Sequence, residues 1–306
     1  MPARDLAEPA EMRLLVAGRH GQLGRALAEA ASGDPALQAT CLGRPELDIR
    51  DEAAIRSAFD AHRPDIAINA AAYTAVDAAE TDPEAAFATN ETGAGNFAAA
   101  AAEKGIPVVH ISTDYVFSGE NDRPWRETDT PSPINVYGRS KLAGELAVAA
   151  TNPRHVIVRT AWVHSPWGGN FVKTMLRLGA ERDELSIVAD QTGTPSLATD
   201  LAGGILAVAK ELASNEASPR GVHHLTNSGM TTWYGLAEEI FRTAANHGYR
   251  RPRLRQITTA DYPAPAQRPR FSALDNHRIG AAFGVHLRDW REATADCVQR
   301  LLTIEK

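Results

Sequence analysis

A phenol and an amine stand four residues apart in Tyr137-Gly138-Arg139-Ser140-Lys141, a pairing that can move a proton. The stretch after it, Leu142 to Ala150, has the composition of a helix, and a helix carries residues spaced by four on one face. A phenol with a pKa of about 10 is a poor acid-base partner at neutral pH, but an adjacent ammonium and a second, ligand-borne positive charge favour its ionised form. The same spacing arises on exposed helix faces that do no chemistry. A second group changes the reading. Thr113, 24 positions before Tyr137, lies in Ile111-Ser112-Thr113-Asp114-Tyr115-Val116-Phe117, an apolar run passing into polar residues, and its hydroxyl can bind the same oxygen that the phenol protonates.

The first apolar run ends in Gly18, Arg19, His20, Gly21, Gln22, Leu23 and Gly24, and helix-forming residues continue from Arg25 to Ala31. Glycines at this spacing permit a tight turn, close approach of the backbone to a pyrophosphate and close packing of helix on strand, while the helix start offers amides to the anion. The position after a first strand favours dinucleotide binding over an empty glycine turn. A ribose-binding acid is expected near the end of the second strand; that place reads Leu42-Gly43-Arg44. Arg44, with Arg19, can pair with a 2′-phosphate through its planar donors, which leans the choice to NADPH and leaves NADH open. Either arginine also reads as a solvated surface charge.

These groups need a scaffold that brings strand ends together. Short apolar runs at Arg13 to Ala17, Ala39 to Leu42, Asp65 to Ala70, Val108 to Ser112 and His155 to Val158 alternate with Ala-rich helical stretches. That pattern predicts an α/β fold, a Rossmann-type doubly wound parallel sheet with ligands beyond the carboxyl ends of its strands. The first eleven residues, with Pro2, Pro9 and four charges, read as a loose tail. Residues 12–162 read as the dinucleotide-binding domain, and 163–306 as a smaller, mainly substrate-binding lobe with segments returning to the first.

The 306 residues are 43% apolar, which rules out disorder as the main theme. A net charge of −6 with scattered Lys and Arg argues against nucleic acid as partner. No run approaches the roughly 18 apolar residues of a membrane helix and no signal peptide is apparent, so the expected compartment is the cytoplasm. Cys41 and Cys297 lack a CxxC or a nearby His and read as reduced thiols.

Together, the glycine turn, Ser112 to Phe117 and Tyr137 to Lys141 resemble the extended short-chain dehydrogenases, whose triad Thr113, Tyr137 and Lys141 match. Asn69 to Asp77, Arg159 to Val163, Asp190 to Pro195, and Arg268-Pro269 with Ser272 narrow the resemblance, from Met12 to about Trp290, to the dTDP-4-dehydrorhamnose reductase family. The resemblance implies reduction of the C4 keto group of a dTDP-4-keto-6-deoxy sugar by NAD(P)H. It implies a cofactor lining of Gly18, Gly21, Gln22, Leu23, Asp48, Ile49, Ala71, Ala72 and Lys141, with Ala70 and Tyr73 in the same segment. Asp114, Tyr115 and Trp162 would face the sugar, and Arg268 would hold the diphosphate. Structural roles stay open for several: Trp162 as core, Asp48 as cap of the following helix, Arg268 in a surface ion pair.

Some relatives hold magnesium at a dimer contact through a glutamate two residues past the turn; here that position is Ala26, so no metal site is expected, and a monomer or homodimer both remain open. His223 and His224, adjacent in a strand, would point to opposite faces and read as structural. A dehydratase would need a carboxylate where Tyr115 stands, and a keto sugar epimerase fits the segments less well. A non-catalytic binding subunit remains the rival from another class, disfavoured by an intact triad, and a ketoreductase for another dTDP-deoxysugar is the nearest enzymatic alternative.

Overall fold

The computed structural model describes residues 11–304. The apolar runs become β1 (Met12–Ala17), β2 (Leu37–Leu42), β3 (Ile66–Asn69), β4 (Val108–Thr113) and β5 (His155–Thr160). Between them lie α1 (Gln22–Ser32), α2 (Glu52–His62), α3 (Val76–Ala79), α4 (Pro83–Phe87), α5 (Ala94–Glu103) and α6 (Val136–Thr151). The remainder forms β6 (Val163–His164), α7 (Phe171–Glu181), β7 (Glu184–Val188), β8 (Thr192–Gly193), β9 (Ser196–Leu197), α8 (Ala198–Ser214), β10 (Gly221–His224), β11 (Thr231–Thr232), α9 (Trp233–Ala245), β12 (Arg253–Ile257), α10 (His277–Phe283) and α11 (Trp290–Ile304).

Six parallel strands form the central sheet in the order β10, β5, β4, β3, β1, β2. Both faces are covered, as near-continuous apolar strands require. On one face Leu23, Ala26 and Leu27 of α1 pack with Leu201, Ala202 and Ile205 of α8. On the other, Ile55 and Phe59 of α2, Phe97 and Ala101 of α5 and Val148 of α6 close the core. A separate cluster, including Val172, Leu176, Ile240, Phe241 and Val298, holds α7, α9 and α11 together. The chain thus reaches the second lobe and comes back: β10 completes the sheet beside β5, and α8 seats on α1.

Strand order reverses between β1 and β3, where Ala17 pairs with Asn69. A crevice opens at such a reversal, and both the glycine turn and the Asn69 to Asp77 segment emerge there.

Two boundaries differ from expectation. The helix after the glycine turn starts at Gln22, inside the motif, and α6 starts at Val136, ahead of the Leu142 to Ala150 stretch, so Tyr137 and Lys141 both lie within it. Asn135 makes that earlier start possible: its side chain accepts from Gly138 N at 2.7 Å, satisfying an otherwise orphan amide. Among the described residues no helix is long and apolar enough to cross a membrane.

Candidate active site

The phosphate turn is built by exclusion of side chains. Gly18 sits at φ 102°, and a Cβ there would lie 2.7 Å from the backbone of Ala70 and Ala71. A Cβ on Gly24 would collide with the Gly18 carbonyl. Gly21 is the N-cap of α1 and supplies no side-chain cap, and no acidic residue occupies the first turn. The amides and positive end of an eleven-residue helix are therefore left to an external anion, so the residues present fit a dinucleotide pyrophosphate. Arg19 and His20 pack beside Gly43 at the end of β2. Arg19 faces Glu46 at 3.9 Å across solvent, and Arg44 is exposed, which leaves both guanidinium groups able to reach a 2′-phosphate.

Asp48 does not cap α2. Its carboxylate takes Arg50 Nη2 at 2.6 Å and the Arg50 amide at 3.0 Å, which hold its pKa down to about 2; Asp51 caps instead, accepting from Ala53 N at 2.9 Å. Ile49 is buried against Gly93. Asn69 Oδ1 accepts from Ala71 N at 3.1 Å. Asn90, which no motif singled out, accepts from Tyr73 N at 2.8 Å and donates to Ser140 Oγ at 2.9 Å. It sits in a π-helical turn, Ala88–Gly93, and ties the Ala70 to Tyr73 loop, Ala72 included, to α6. A lone Asn in an Ala-rich stretch gives no sequence signal for such a role.

Tyr137 and Lys141 share one face of α6, which sits close because Gly138 abuts the Tyr115 carbonyl and Gly144 the Asn90 carbonyl. Buried Lys141 donates to the Ile111 carbonyl at 2.6 Å. Burial lowers its pKa to about 8, with Glu145 opposing. Tyr137 shifts in the opposite direction. Burial pushes its phenol up to about 12, hydrogen bonding with Thr113 only partly opposing. With the ammonium committed to Ile111, desolvation outweighs any pull toward phenolate. A phenol shifted upward favours its protonated form, the form that a reduction consumes.

Thr113 ends β4. Its Oγ1 donates to Asp114 Oδ1 at 3.0 Å and accepts from Tyr115 N at 3.2 Å. Tyr115 stands edge-on to Tyr137 with ring centres 5.8 Å apart. Beneath them Glu145 binds Arg159 at 2.6 Å and accepts from Ser112 Oγ at 2.5 Å, with both charged groups under 5% exposed. Arg159 also lies 5.1 Å from the Phe117 ring centre.

Toward the second lobe, Trp162 stacks on Trp233 and adopts φ 45°, a conformation rare for a bulky residue. Trp233 Nε1 donates to Gln191 Oε1 at 3.1 Å, and Gln191 Nε2 to Thr259 Oγ1 at 3.0 Å. Arg268, expected on a diphosphate, is paired bidentately with Asp77, at 2.7 Å and 3.0 Å. Asp77, in the first turn of α3, thus engages the guanidinium, and it also accepts from Ala266 N at 3.1 Å. Gln22 likewise clamps the lobes, accepting from Ser165 Oγ at 2.8 Å and Asn170 Nδ2 at 2.9 Å and donating to the Val163 carbonyl at 3.3 Å. His223 and His224 are both buried; His224 Nδ1 contacts the Trp125 carbonyl at 3.1 Å. Among the described residues no group of three or more His, Cys, Asp or Glu could hold a metal ion. A cavity of about 320 Å³ lined by Ala26, Glu29, Arg288, Cys297 and Arg300 shares no residue with this site.

A dinucleotide turn at the sheet's reversal, with a phenol, a buried amine and a threonine hydroxyl gathered at the end of the strand two places away, defines a nicotinamide-dependent reductase of the extended short-chain dehydrogenase class. Residues 12–303 match the model of the RmlD substrate binding domain. A dTDP-4-dehydrorhamnose reductase of Sinorhizobium fredii is 44% identical over 95% of this chain and 98% of its own length, and that of Escherichia coli is 40% identical over 95% and 99%. The chain belongs to the dTDP-4-dehydrorhamnose reductase family. The structure of the Clostridium acetobutylicum reductase superposes with a TM-score of 0.88 at 39% identity, covering 95% of this chain and all of that one. The Bacillus anthracis reductase, in complex with NADP, does so at 0.87 and 34%, covering 97% and 100%.

Proposed function

We propose that the chain reduces the C4 keto group of dTDP-4-dehydro-L-rhamnose to give dTDP-L-rhamnose, using NADPH. The observation that carries this is Tyr137 gathered with Lys141 and Thr113 at the carboxyl end of β4, two strands from the glycine turn. Bound NADPH supplies the hydride for C4. Tyr137 gives its proton to the carbonyl oxygen and Thr113 orients that oxygen. Lys141, held by Ile111, stabilises the phenolate left behind and binds the nicotinamide ribose. Asp114, Tyr115 and Trp162 shape the sugar pocket. Gly18 to Gly24, Arg44, Ala70 to Tyr73 and the Asp48-Ile49 corner receive the dinucleotide, whose 2′-phosphate Arg19 and Arg44 favour. The nucleotide is a remote handle whose binding energy positions the sugar. The cytoplasm is the compartment we assign, and monomer or homodimer the assembly.

The test is oxidation of NADPH, then NADH, on mixing with dTDP-4-dehydrorhamnose. Tyr137→Phe should keep NADPH binding and lower kcat by about 100-fold to 10,000-fold, the range for a general acid. Substrate-dependent oxidation that survives the substitution would overturn the assignment of Tyr137.

A further inference from the structure

Asp114 is an unusual neighbour for a reacting threonine. It is 2% exposed, its Oδ1 receives the Thr113 hydroxyl at 3.0 Å, and its Oδ2 is buried without a partner at hydrogen-bond distance. No cation is paired with it. The groups around it are the phenols of Tyr115 and Tyr137, the buried Ser272 hydroxyl, the Arg268–Asp77 pair beyond Tyr115, and the mutually compensated Glu145–Arg159 pair behind Ser112. An unpaired buried carboxylate is costly, and burial pushes this one up to about 7 while Ser272 favours its charged form.

A hydroxyl has one hydrogen to give. When Asp114 is ionised, Thr113 spends that hydrogen on Oδ1 and can only accept elsewhere. When Asp114 carries a proton, it can donate to Thr113 Oγ1, and the threonine hydrogen is released toward the reacting side. The charge also acts on Tyr137, whose pKa it raises, making the phenol a weaker acid.

We propose that Asp114 is the positioning residue of the triad: uncharged, it turns the Thr113 hydrogen toward the reacting carbonyl oxygen, and ionised, it withdraws that hydrogen and disables the site. No proton leaves Asp114 in the chemical step; its charge state sets the direction of one hydrogen bond. The inference rests on the reading of Thr113 and Tyr137 as the reacting groups.

Two readouts test it. In the free protein, infrared difference spectra from about pH 5 to about pH 9 should show a protonated carboxyl band disappearing through the Asp114 titration, absent in Asp114→Asn. In single turnovers at saturating NADPH and dTDP-4-dehydrorhamnose, the rate should fall toward about tenfold per pH unit above that titration. Asp114→Asn, isosteric and uncharged, should lose this descent and keep only the later one of Lys141. Ser272→Ala removes a stabiliser of the charged form and should move the descent to higher pH. An unchanged descent in Asp114→Asn overturns the proposal. Should that variant fail to bind NADPH, Ser272→Ala decides: a shifted descent supports the proposal and an unmoved one overturns it. Loss of turnover in Tyr137→Phe beside an unchanged Asp114→Asn profile would sink this inference alone, whereas full turnover in Tyr137→Phe would sink the underlying reading.

Discussion

The indole rings of Trp162 and Trp233 lie parallel, their planes 5° apart and their centres 3.5 Å apart. Trp162 holds a left-handed backbone at φ 45° while stacked there, and Gln191 fixes the far ring by accepting from its Nε1. Trp233 therefore positions Trp162, the residue we place against the sugar. Trp233→Ala should raise KM for the nucleotide sugar by about tenfold, the worth of an aromatic pair, and leave NADPH affinity unchanged; steady-state kinetics with each ligand varied in turn checks it.

Arg44 stands exposed at the end of β2 where an acid would select NADH. Removing its charge should weaken NADPH by about tenfold or more and leave NADH within about twofold, since charge-assisted bonds to a phosphate are worth about 1.5–3 kcal/mol. Fluorescence titration of Arg44→Ala with both dinucleotides is the measurement. Equal losses would place the arginine away from the 2′-phosphate.

Lys141 sets function against stability. Its folded pKa of about 8 lies below the ordinary 10.5, so between those values the native state binds fewer protons than the unfolded chain, and stability rises with pH across that window. Below it the buried ammonium costs about 3 kcal/mol. Lys141→Met should abolish turnover yet raise the urea midpoint at pH 7, less the donor lost to the Ile111 carbonyl.

Acid should unfold this protein early. His164 and His223, lowered to about 4, and His224, lowered to about 3, are kept neutral by burial. The unfolded chain takes up protons below about pH 6.5 that the native state refuses, so stability present above that pH is lost as pH falls toward 3. Asp114, raised to about 7, works the other way over part of the range. His224→Gln should move the acid midpoint downward in a circular dichroism titration.

The Glu145–Arg159 pair is nearly inaccessible, and opening it leaves a charge without a counterpart. Glu145→Gln should cost about 3–5 kcal/mol in chemical denaturation, far more than loss of an exposed pair such as Arg177 with Glu181.

Local pattern made the five amino-terminal strands and the glycine turn readable, because strand runs, turn glycines and the Tyr137-to-Lys141 spacing are properties of contiguous residues. The pairings that finish the site are not. Arg268 with Asp77 spans 191 positions, and Gln22 with Asn170 spans 148; nothing in either neighbourhood indicates the partner. For Arg268 the sequence leaves a diphosphate and a surface ion pair both open, and the pair with Asp77 is the one formed. The cap of α2 lies three residues past Asp48, at Asp51, while Asp48 is engaged by its neighbour Arg50. The pull of burial on the Tyr137 phenol, set against a nearby ammonium, likewise cannot be read from spacing.

The position of β10 in the sheet bears on how the chain is made. As synthesis proceeds, the apolar face of α1 has no cover until α8, Ala198–Ser214, has left the ribosome, and β5 keeps a bare edge until His224 has followed. The dinucleotide half, although first in sequence, is finished by residues from the second. A nascent chain halted near residue 162 would present an open strand edge and an uncovered helix, surfaces that invite pairing with other chains, so the protein's dependence on chaperones should be greatest at that length and end abruptly once the sixth strand is in place.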